Sequence, residues 1–213
     1  MDTMFNISQR FVMLKDMTNL IDFDKINNKW PSLVWTKNVD NQVTVDKFMF
    51  DDPEFADIKQ ACVDECKNYL NNSLNIKDYY TDLKMTNSWG NTTFPGEQHH
   101  EHMHPFSVVS GVLYLDNNPS NLKLFVESSL PEVPHFITRK KTYVSLESLC
   151  RDTGVDAAGN LHLKNHLVLF LSNYHHWVET DPDGVLPRRS IAFNTYWSGK
   201  TGQKDDYLGS FDY

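Results

Sequence analysis

Hydrophobic and polar positions divide the chain into a first part with helical spacing and a longer part with β spacing. After Asp52-Pro53-Glu54, apolar residues recur every three or four positions, at Phe55, Ile58, Cys62, Cys66 and Tyr69. This spacing, with acidic residues in the first turn, predicts a helix over about 53–71. Residues 1–50 mix short apolar runs with polar breaks, which predicts a strand or two and a short helix.

The chain beyond residue 80 has the pattern of β-strands. Its apolar positions alternate or form short blocks rich in Val, Leu, Phe, Tyr and Trp, separated by clusters of Asn, Pro, Gly and Asp. Because no helical pattern intervenes, two packed sheets or a closed barrel are favoured over an open parallel sheet. Strands are expected near 82–90, 107–116, 121–127, 135–146, 161–172, 175–179 and 188–197.

The predicted fold class is therefore mainly β with N-terminal helices. One domain should span residues 1–213, with an α-containing segment 1–80 and a β core 81–198. Of the 213 residues, 40% are hydrophobic and 23% are charged. A chain of this length buries roughly 70% of its unfolded surface on folding, so it needs no metal or disulfide for stability.

The three cysteines fit a reducing compartment. Cys62, Cys66 and Cys150 are odd in number and contain no CxxC pair. Cys62 and Cys66 are spaced i,i+4 in the predicted helix, so a shared metal is geometrically conceivable. A buried apolar stripe is the favoured interpretation, because free cysteine behaves as a small hydrophobic residue.

Charge and hydropathy narrow the range of partners. The 28 acidic and 20 basic residues give a formal net charge of -8, which disfavours nucleic acid and anionic membranes as partners. No stretch approaches the length of an apolar membrane span, and residues 1–19 lack the features of a signal peptide. We therefore expect a cytoplasmic protein, and the sequence leaves its oligomeric state open.

Histidines are concentrated in one segment. Four of the nine lie in Gln98-His99-His100-Glu101-His102-Met103-His104-Pro105. Residues i and i+2 of a strand point to the same face, so His102 and His104 would direct two imidazoles to one point, as a metal site requires. His99 and Glu101 form a competing pair that would supply a carboxylate. The plainer alternative is a solvated, polar strand entrance that binds nothing.

A further imidazole and an arginine follow in distant strands. An apolar run over 167–171 leads through a short turn to His175-His176, which puts an imidazole at the mouth of a sheet. Arg188-Arg189 begins the next strand, and an arginine that points into an apolar strand requires a carboxylate partner, which could be a ligand. The alternative is a basic strand edge that discourages aggregation. Only one of the two arginines can point inward, because neighbouring residues of a strand face opposite sides.

Four segments carry these residues in a characteristic order. They are Ser88-Trp89-Gly90-Asn91, His102-x-His104-Pro105-x-Ser107-x-x-Ser110-Gly111-Val112-x-Tyr114, Phe170-x-Ser172-x-x-x-His176-x-Val178 and Arg188-x-Ser190-Ile191-Ala192-Phe193-Asn194. Over about residues 55–197 the chain resembles a 2-oxoglutarate/Fe(II) oxygenase family common in bacteria and tailed phages, and more distantly it is similar to prolyl hydroxylases. The resemblance implies a double-stranded β-helix, or jelly roll, with an N-terminal helix packed on one sheet.

The resemblance also implies an iron site. It assigns His102, His104 and His176 as metal ligands and catalytic residues. Members of the wider superfamily usually have His-x-Asp or His-x-Glu and a distal histidine, and here His104 aligns with the acid. A three-histidine site would lose a negative charge, which should weaken the stabilisation of Fe(II). The alternative is that Glu101 replaces one of the imidazoles.

For 2-oxoglutarate the family pattern points to Arg188. An Arg-x-Ser pair on one strand face can bind a carboxylate, the arginine by a forked ion pair and Ser190 by its hydroxyl. Tyr114 is a candidate donor to the same carboxylate, although a core aromatic with a satisfied hydroxyl is nearly as good an interpretation. Packing is the favoured role of four neighbours that could also line the substrate side, namely Trp89, Asn91, Phe106 and Asn194.

The implied reaction is that of a dioxygenase, in particular a hydroxylase. It uses Fe(II), 2-oxoglutarate and O2, and it releases succinate and carbon dioxide while a C–H bond of a small molecule or peptide is oxidised. A prolyl or other protein side chain as substrate follows only from analogy with the fold. Two alternatives are a three-histidine cupin-type metalloenzyme that does not use 2-oxoglutarate and a catalytically inactive jelly-roll binding module. A phage-encoded chain would work in the host cytoplasm.

Overall fold

The computed structural model describes residues 3–7, 10–73, 75–76, 80–116, 120–126, 142–145, 163–180, 182–201 and 211–212. Cys150 and most of the strand expected over 135–146 lie outside these residues. The described ranges contain thirteen strands, which are β1 (Thr3–Ile7), β2 (Arg10–Asp16), β3 (Trp35–Lys37), β4 (Gln42–Thr44), β5 (Tyr80–Thr93), β6 (Gln98–His102), β7 (Val109–Tyr114), β8 (Ser120–Val126), β9 (Thr142–Ser145), β10 (His166–Leu171), β11 (His176–Thr180), β12 (Arg188–Thr201) and β13 (Phe211–Asp212).

The strands form two antiparallel sheets in the order of a jelly roll. The larger sheet has the order β1-β2-β10-β7-β12-β5-β4-β3, with β13 beside β12, and the smaller sheet has the order β6-β11-β8-β9. The chain passes back and forth between the two sheets from β5 to β12. The predicted fold class, mainly β with N-terminal helices, is confirmed. β6 is not among the strands expected from the pattern, because its polar residues show no apolar alternation.

Two helices lie in the first part of the chain. α1 (Phe23–Lys29) is capped by Asp22, whose side chain accepts a hydrogen bond from the Asp24 amide. A 3₁₀ turn over Pro53–Phe55 leads into α2 (Ala56–Ser73), so the helix expected over 53–71 is confirmed. Residues 1–50 hold more strands than the one or two expected, since β1 to β4 extend the larger sheet at both edges. Among the described residues, no helix has the length and apolarity to cross a membrane.

The main core lies between α2 and the outer face of the larger sheet. Ile58, Cys62 and Cys66 of α2 are fully buried in one cluster with Leu113 and Phe193. Burial raises the pKa of the Cys62 thiol to about 12, which favours the neutral thiol of a packed side chain over a metal-binding thiolate. The interpretation of the cysteine pair as a buried stripe is therefore confirmed.

The pairing of β12 with its neighbours determines which side chains share the inner face of the larger sheet. Ser190 pairs with Tyr114 of β7 on one side and with Asn91 of β5 on the other, and Arg188 pairs with Thr93. Paired residues point to the same face, and so do residues i and i+2 of a strand. The inner face therefore presents all five side chains next to one another.

A glycine on β7 allows the outer face of this sheet to pack. Gly111 pairs with Phe193, and a Cβ at Gly111 would overlap the Phe193 ring. Any side chain here would displace a fully buried aromatic residue from the main core. Gly111 thus allows β7 to pack against Phe193 on the outer face, while its neighbour Ser110 points to the inner face.

Candidate active site

Three histidines meet at the edge where the two sheets come together. The ring centroids are 4.9 Å apart for His102 and His104, 4.3 Å for His102 and His176, and 5.0 Å for His104 and His176. One nitrogen of each ring lies within 4.8 Å of the others. These separations suit three ligands of one divalent ion.

The backbone places His104 differently from the sequence expectation. β6 ends at His102, so the expectation that both imidazoles project from one strand is wrong. The His104 amide donates to the carbonyl of Ser172, at 2.9 Å, and this hydrogen bond ties the segment after β6 to the end of β10. His176 pairs directly with His102 across the smaller sheet. The imidazoles therefore converge from a strand end, a connecting segment and a neighbouring strand.

We call His102, His104 and His176 the triad, and in each of its rings Nδ1 faces a protein acceptor. Nδ1 of His102 lies 2.7 Å from the His100 carbonyl, and Nδ1 of His176 lies 2.8 Å from the Tyr174 carbonyl. Both nitrogens must donate, because a carbonyl only accepts. The proton is then on Nδ1, which leaves the lone pair on Nε2 for a metal.

His104 is held in the same way by side chains. Its Nδ1 lies 2.5 Å from Oδ1 of Asn194 and 2.8 Å from Oγ of Ser110. The Ser110 hydroxyl donates to the same Asn194 oxygen at 2.8 Å and also contacts Ser172 at 2.8 Å, and Ser172 donates to Ser107 at 2.7 Å. This buried chain satisfies its members and fixes the orientation of the His104 ring.

Burial keeps the triad neutral. It lowers the pKa of His104 to about 4 and that of His176 well below the ordinary value, and it lowers the pKa of His102 as well. Desolvation is the largest cause for all three, and neighbouring imidazoles lower the pKa values further. Neutral imidazole is the form that binds a metal, so near neutral pH the site is ready for an ion.

The competing pair, His99 and Glu101, lies outside the triad. Oε1 of Glu101 is 3.3 Å from Nδ1 of His175 on the solvent side. A register shift between β6 and β11 brings His99 to the side of His102, where the two rings stack with centroids 4.4 Å apart. Among the described residues, the one group with metal-ligand geometry is His102, His104 and His176.

A second group of polar side chains occupies the inner face of the larger sheet. Arg188 is 3% exposed, and its guanidinium carbon lies 4.7 Å from the centroid of the Tyr114 ring. Three buried atoms have no hydrogen-bond partner in the described part of the chain, namely Nε of Arg188, Oγ of Ser190 and the hydroxyl oxygen of Tyr114. The same holds for Oδ1 of Asn91 and Oγ1 of Thr93 on the adjacent strand. We call the group of Tyr114, Arg188 and Ser190 the cradle.

The cradle has the chemistry of a carboxylate site. A buried guanidinium without a counter-charge costs several kcal/mol, and no described carboxylate lies within ion-pair distance of Arg188. A ligand carboxylate would accept hydrogen bonds from the guanidinium and from both hydroxyls. The cradle therefore fits the acid group of a bound molecule.

Arg189 has a different environment. Its Nε and Nη2 donate to the two carboxylate oxygens of Asp116, at 2.9 Å and 2.8 Å. This bidentate pair raises the pKa of Arg189, and the guanidinium also lies over the Trp30 ring. Arg188 faces the inside of the jelly roll, and Arg189 is engaged on the other face.

Two of the four residues for which packing was the favoured role, Asn194 and Phe106, have other surroundings in the structure. Trp89 meets the His104 ring edge-on with centroids 5.9 Å apart. Asn194 hydrogen-bonds to His104, and Asn91 is buried beside the cradle. Packing is also wrong for Phe106, which is 91% exposed at a φ of 60°. The role of Asn194 could be found from the sequence, because it follows Arg188 and Ser190 at even spacing on one strand.

The family comparison agrees with this geometry. The sequence model of the family described as "Putative 2OG-Fe(II) oxygenase" matches residues 87–194. The chain belongs to this family. It is a non-haem Fe(II)- and 2-oxoglutarate-dependent dioxygenase, with O2 as the other co-substrate. No curated protein matches the chain.

Solved structures of prolyl hydroxylases and of a protein with bound 2-oxoglutarate share the fold. A prolyl-4-hydroxylase from Pseudomonas putida is 16% identical, with 88% of this chain and 93% of that chain covered and a TM-score of 0.53. A Trichoplax adhaerens prolyl hydroxylase bound to a peptide fragment of hypoxia inducible factor is 15% identical, with 87% and 83% covered and a TM-score of 0.54. HygX from Streptomyces hygroscopicus, with nickel and 2-oxoglutarate bound, is 9% identical, with 98% and 93% covered and a TM-score of 0.53.

Proposed function

We propose that this oxygenase hydroxylates a C–H bond of a small molecule or a peptide, with His102, His104 and His176 as the iron ligands and Arg188 as the anchor of 2-oxoglutarate. One observation carries the proposal. Three neutral imidazoles converge on one point, and a buried guanidinium without a described counter-charge faces the interior of the same jelly roll. The first group suits a metal, and the second suits a carboxylate.

The triad fits Fe(II) by its donor set. Imidazole nitrogen is a common ligand of iron, and the hydrogen bonds at Nδ1 leave the three Nε2 lone pairs for coordination. Three protein ligands would leave coordination positions for 2-oxoglutarate and O2. Bound iron supplies the activation of O2 that couples conversion of 2-oxoglutarate into succinate and carbon dioxide to oxidation of the substrate.

The cradle fits the distal carboxylate of 2-oxoglutarate. Arg188 would donate a forked pair of hydrogen bonds, and the hydroxyls of Ser190 and Tyr114 would donate one each. The Thr93 hydroxyl, which lies opposite Arg188 on β5 and has no described partner, can donate another. A carboxylate oxygen pair accepts about four hydrogen bonds. These five donors would be enough to occupy the acceptor sites and to hold the co-substrate in one orientation.

Asn194 would act as a positioning residue for His104. In this site the residue aligned with the usual acid is a histidine, and the Asn194 carbonyl oxygen keeps the His104 proton on Nδ1. Ser110 supports Asn194 by donating to the same oxygen. A neutral amide in this position adds no negative charge to a site that already lacks a carboxylate.

The alternative without 2-oxoglutarate has less support. A three-histidine cupin-type enzyme would use the triad and leave Arg188, Ser190 and Tyr114 without partners in a buried place. The binding-module alternative would in addition leave three pre-arranged neutral imidazoles without a role. Residues 1–213 as one domain, and a cytoplasmic location, remain predictions.

Succinate release tests the proposed function. The purified protein is supplied with Fe(II), 2-oxoglutarate and O2, together with proline-containing peptides or with free amino acids and nucleosides. A substrate raises succinate release above the substrate-free rate and gains one oxygen atom by mass spectrometry. Absence of 2-oxoglutarate turnover under every condition, with the metal bound, would contradict the proposal.

A further inference from the structure

A cavity beside the triad contains one cationic side chain. The cavity has a volume of about 270 Å³, and its lining includes His102 and His104 together with Trp89, Val43 and Lys47. Among the described residues that line it, Lys47 supplies the sole ammonium or guanidinium group and none supplies a carboxylate. A molecule bound there, next to the metal ligands, would therefore have a cationic side chain beside it.

The backbone holds Lys47 in place. Its carbonyl accepts a hydrogen bond from the Ser88 amide at 2.7 Å, and Phe48 forms a β-bridge with Ser88. On the other side of the loop, the Thr44 hydroxyl accepts from the Gly90 amide at 3.0 Å. These bonds attach the loop to β5 on both sides of Trp89. A group fixed in this way can select a ligand without a further entropic cost of ordering its backbone.

The Lys47 ammonium has spare hydrogen-bonding capacity. Nζ donates to the Thr44 carbonyl at 2.6 Å, and an ammonium has three N–H donors. No described carboxylate lies within ion-pair distance of it. Asp46 is exposed, and its Oδ1 accepts from the Phe48 amide. Burial lowers the pKa of Lys47 more than Asp46 raises it, as for a cation that has lost part of its hydration.

The cradle does not account for this cation. Arg188, Ser190 and Tyr114 are not among the residues that line the cavity, so the distal carboxylate of 2-oxoglutarate has its own partners. Lys47 lines the cavity together with Trp89, His99 and His100. A ligand there would lie next to the metal ligands and separate from the cradle.

We propose that Lys47 binds a carboxylate of the primary substrate, so that this oxygenase acts on small carboxylate-bearing molecules. The inference rests on the proposed function, because it takes the triad as the place of oxidation. Trp89 and Val43 supply apolar walls for the body of the substrate. The volume lies just below the usual range of about 300–1,000 Å³ for small-molecule sites, which favours a compact acid over an extended peptide.

Matched acids and amides test the inference. The probes are the N-acetyl amino acids as one pool and their primary amides as a second pool, which differ in the carboxylate alone. Binding to the protein loaded with nickel(II) and 2-oxoglutarate is measured by ligand-observed NMR, and succinate release is measured with Fe(II). We expect at least one acid to bind about tenfold more tightly than its amide, which corresponds to ~1.4 kcal/mol. The same acid should raise succinate release.

Variants of Lys47 show whether this residue is responsible. Lys47→Gln keeps a donor for the Thr44 carbonyl and should abolish the preference for the acid, and Lys47→Arg should retain it. Lys84→Gln is the matched control, because it removes one positive charge from an exposed position on β5 outside the cavity. It should leave the preference unchanged.

Three results would overturn the inference. The first is that no acid binds better than its amide to protein that has bound nickel(II) and 2-oxoglutarate. The second is that Lys47→Gln retains the full preference. The third is that Lys47→Gln weakens 2-oxoglutarate affinity as much as it weakens the acid, which would assign Lys47 to the co-substrate. A wild-type protein that binds neither nickel(II) nor 2-oxoglutarate would instead reject the proposed function, and with it the basis of this inference.

Discussion

The triad and the cradle belong to the same jelly roll and are built in opposite ways. At the triad, each imidazole has its Nδ1 bonded to a protein acceptor, and a chain of hydroxyls supports His104. At the cradle, the guanidinium of Arg188 and the hydroxyls of Ser190 and Tyr114 have buried atoms without hydrogen-bond partners among the described residues. The hydrogen bonds of the triad are formed without a ligand, whereas those of the cradle would be formed only with a bound ligand.

The difference reflects what each ligand brings. A metal ion offers no hydrogen bonds, so the protein must orient the ligand atoms itself through the groups behind them. A carboxylate brings about four acceptor sites, so the protein can leave its donors unpaired for it. Each unpaired buried donor costs about 1–3 kcal/mol in the ligand-free protein. The unpaired donors of the cradle therefore destabilise the ligand-free protein, and bound co-substrate would remove this cost.

Loss of a triad imidazole should have the largest effect. His176→Ala and His104→Ala each remove one of three ligands. We expect metal affinity to fall by more than about 100-fold, because mutation of residues that only hydrogen-bond to a ligand already lowers it by up to about 100-fold. Glu101→Ala should leave affinity nearly unchanged, because its carboxylate faces His175. Titration with cobalt(II) or zinc(II) measures both. If Glu101→Ala lost most of its metal affinity while His104→Ala kept the wild-type affinity, the ligand would be the Glu101 carboxylate and not His104.

Replacement of Arg188 should change 2-oxoglutarate affinity and the stability of the ligand-free protein in opposite directions. Arg188→Met should weaken 2-oxoglutarate affinity by about 2–5 kcal/mol and leave metal affinity intact. In the absence of 2-oxoglutarate the same variant should be more stable by roughly 1–3 kcal/mol, because an unpaired buried charge is replaced by an apolar side chain. Calorimetric binding and urea unfolding measure the two quantities.

Arg189→Met is the matched control. It breaks the pair with Asp116 on the other face and should leave 2-oxoglutarate affinity within about twofold. It should lower stability slightly, because partly exposed ion pairs contribute ~1 kcal/mol or less. A larger loss of 2-oxoglutarate affinity in Arg189→Met than in Arg188→Met would exchange the roles of the two arginines.

These two regions were predictable from the sequence to different degrees. The even spacing of Arg188 and Ser190, with an apolar strand around them, indicates the cradle, and strand periodicity alone gives their common face. The triad is indicated by the number of histidines and by their order along the chain. The expectation that His102 and His104 project from one strand is wrong. His104 lies beyond the end of β6, and its position depends on a backbone hydrogen bond to Ser172 that no local pattern encodes.

Other parts of the molecule depend on contacts that are distant in sequence. β1 to β4 are short or mixed in pattern, and they form strands because they pair with the edges of a sheet whose centre comes from residues 80–201. The position of His99 beside His102 depends on a register shift against β11. The sequence around Lys47 contains no motif that indicates a role for it. Its place in the cavity follows from hydrogen bonds between its loop and β5.

The support of His104 by Asn194 should have an intermediate effect. Asn194→Leu removes the acceptor for Nδ1–H, and we expect metal affinity to fall about 10–100-fold. Asn194→Asp keeps an acceptor and should bind metal at least as well as the wild type. Nitrogen-15 NMR of the metal-free protein should show His104 protonated on Nδ1 in the wild type and a mixture of tautomers in Asn194→Leu. An unchanged tautomer in that variant would remove the positioning role.

The stability of the metal-free protein should depend on pH. The pKa values of the triad are lowered by burial, that of His104 to about 4, whereas in the unfolded chain they are about 6.5. As pH falls below 6.5 the unfolded state takes up protons first, so the stability of the folded state should fall, by about 3 kcal/mol from His104 alone down to pH 4. Urea unfolding at stepwise pH checks this, and a His104→Asn variant should show a smaller fall.

The central claim is that one jelly roll holds iron at the triad and 2-oxoglutarate at the cradle at the same time. Anaerobic addition of 2-oxoglutarate to the Fe(II)-loaded protein tests it most directly, through the visible charge-transfer absorption that arises when the 2-oxo acid coordinates the iron. We predict that the absorption appears and saturates at one equivalent, that it requires far more 2-oxoglutarate in Arg188→Met, and that it is absent in His176→Ala. An Fe(II)-loaded wild-type protein that shows no such absorption at any 2-oxoglutarate concentration would contradict the claim.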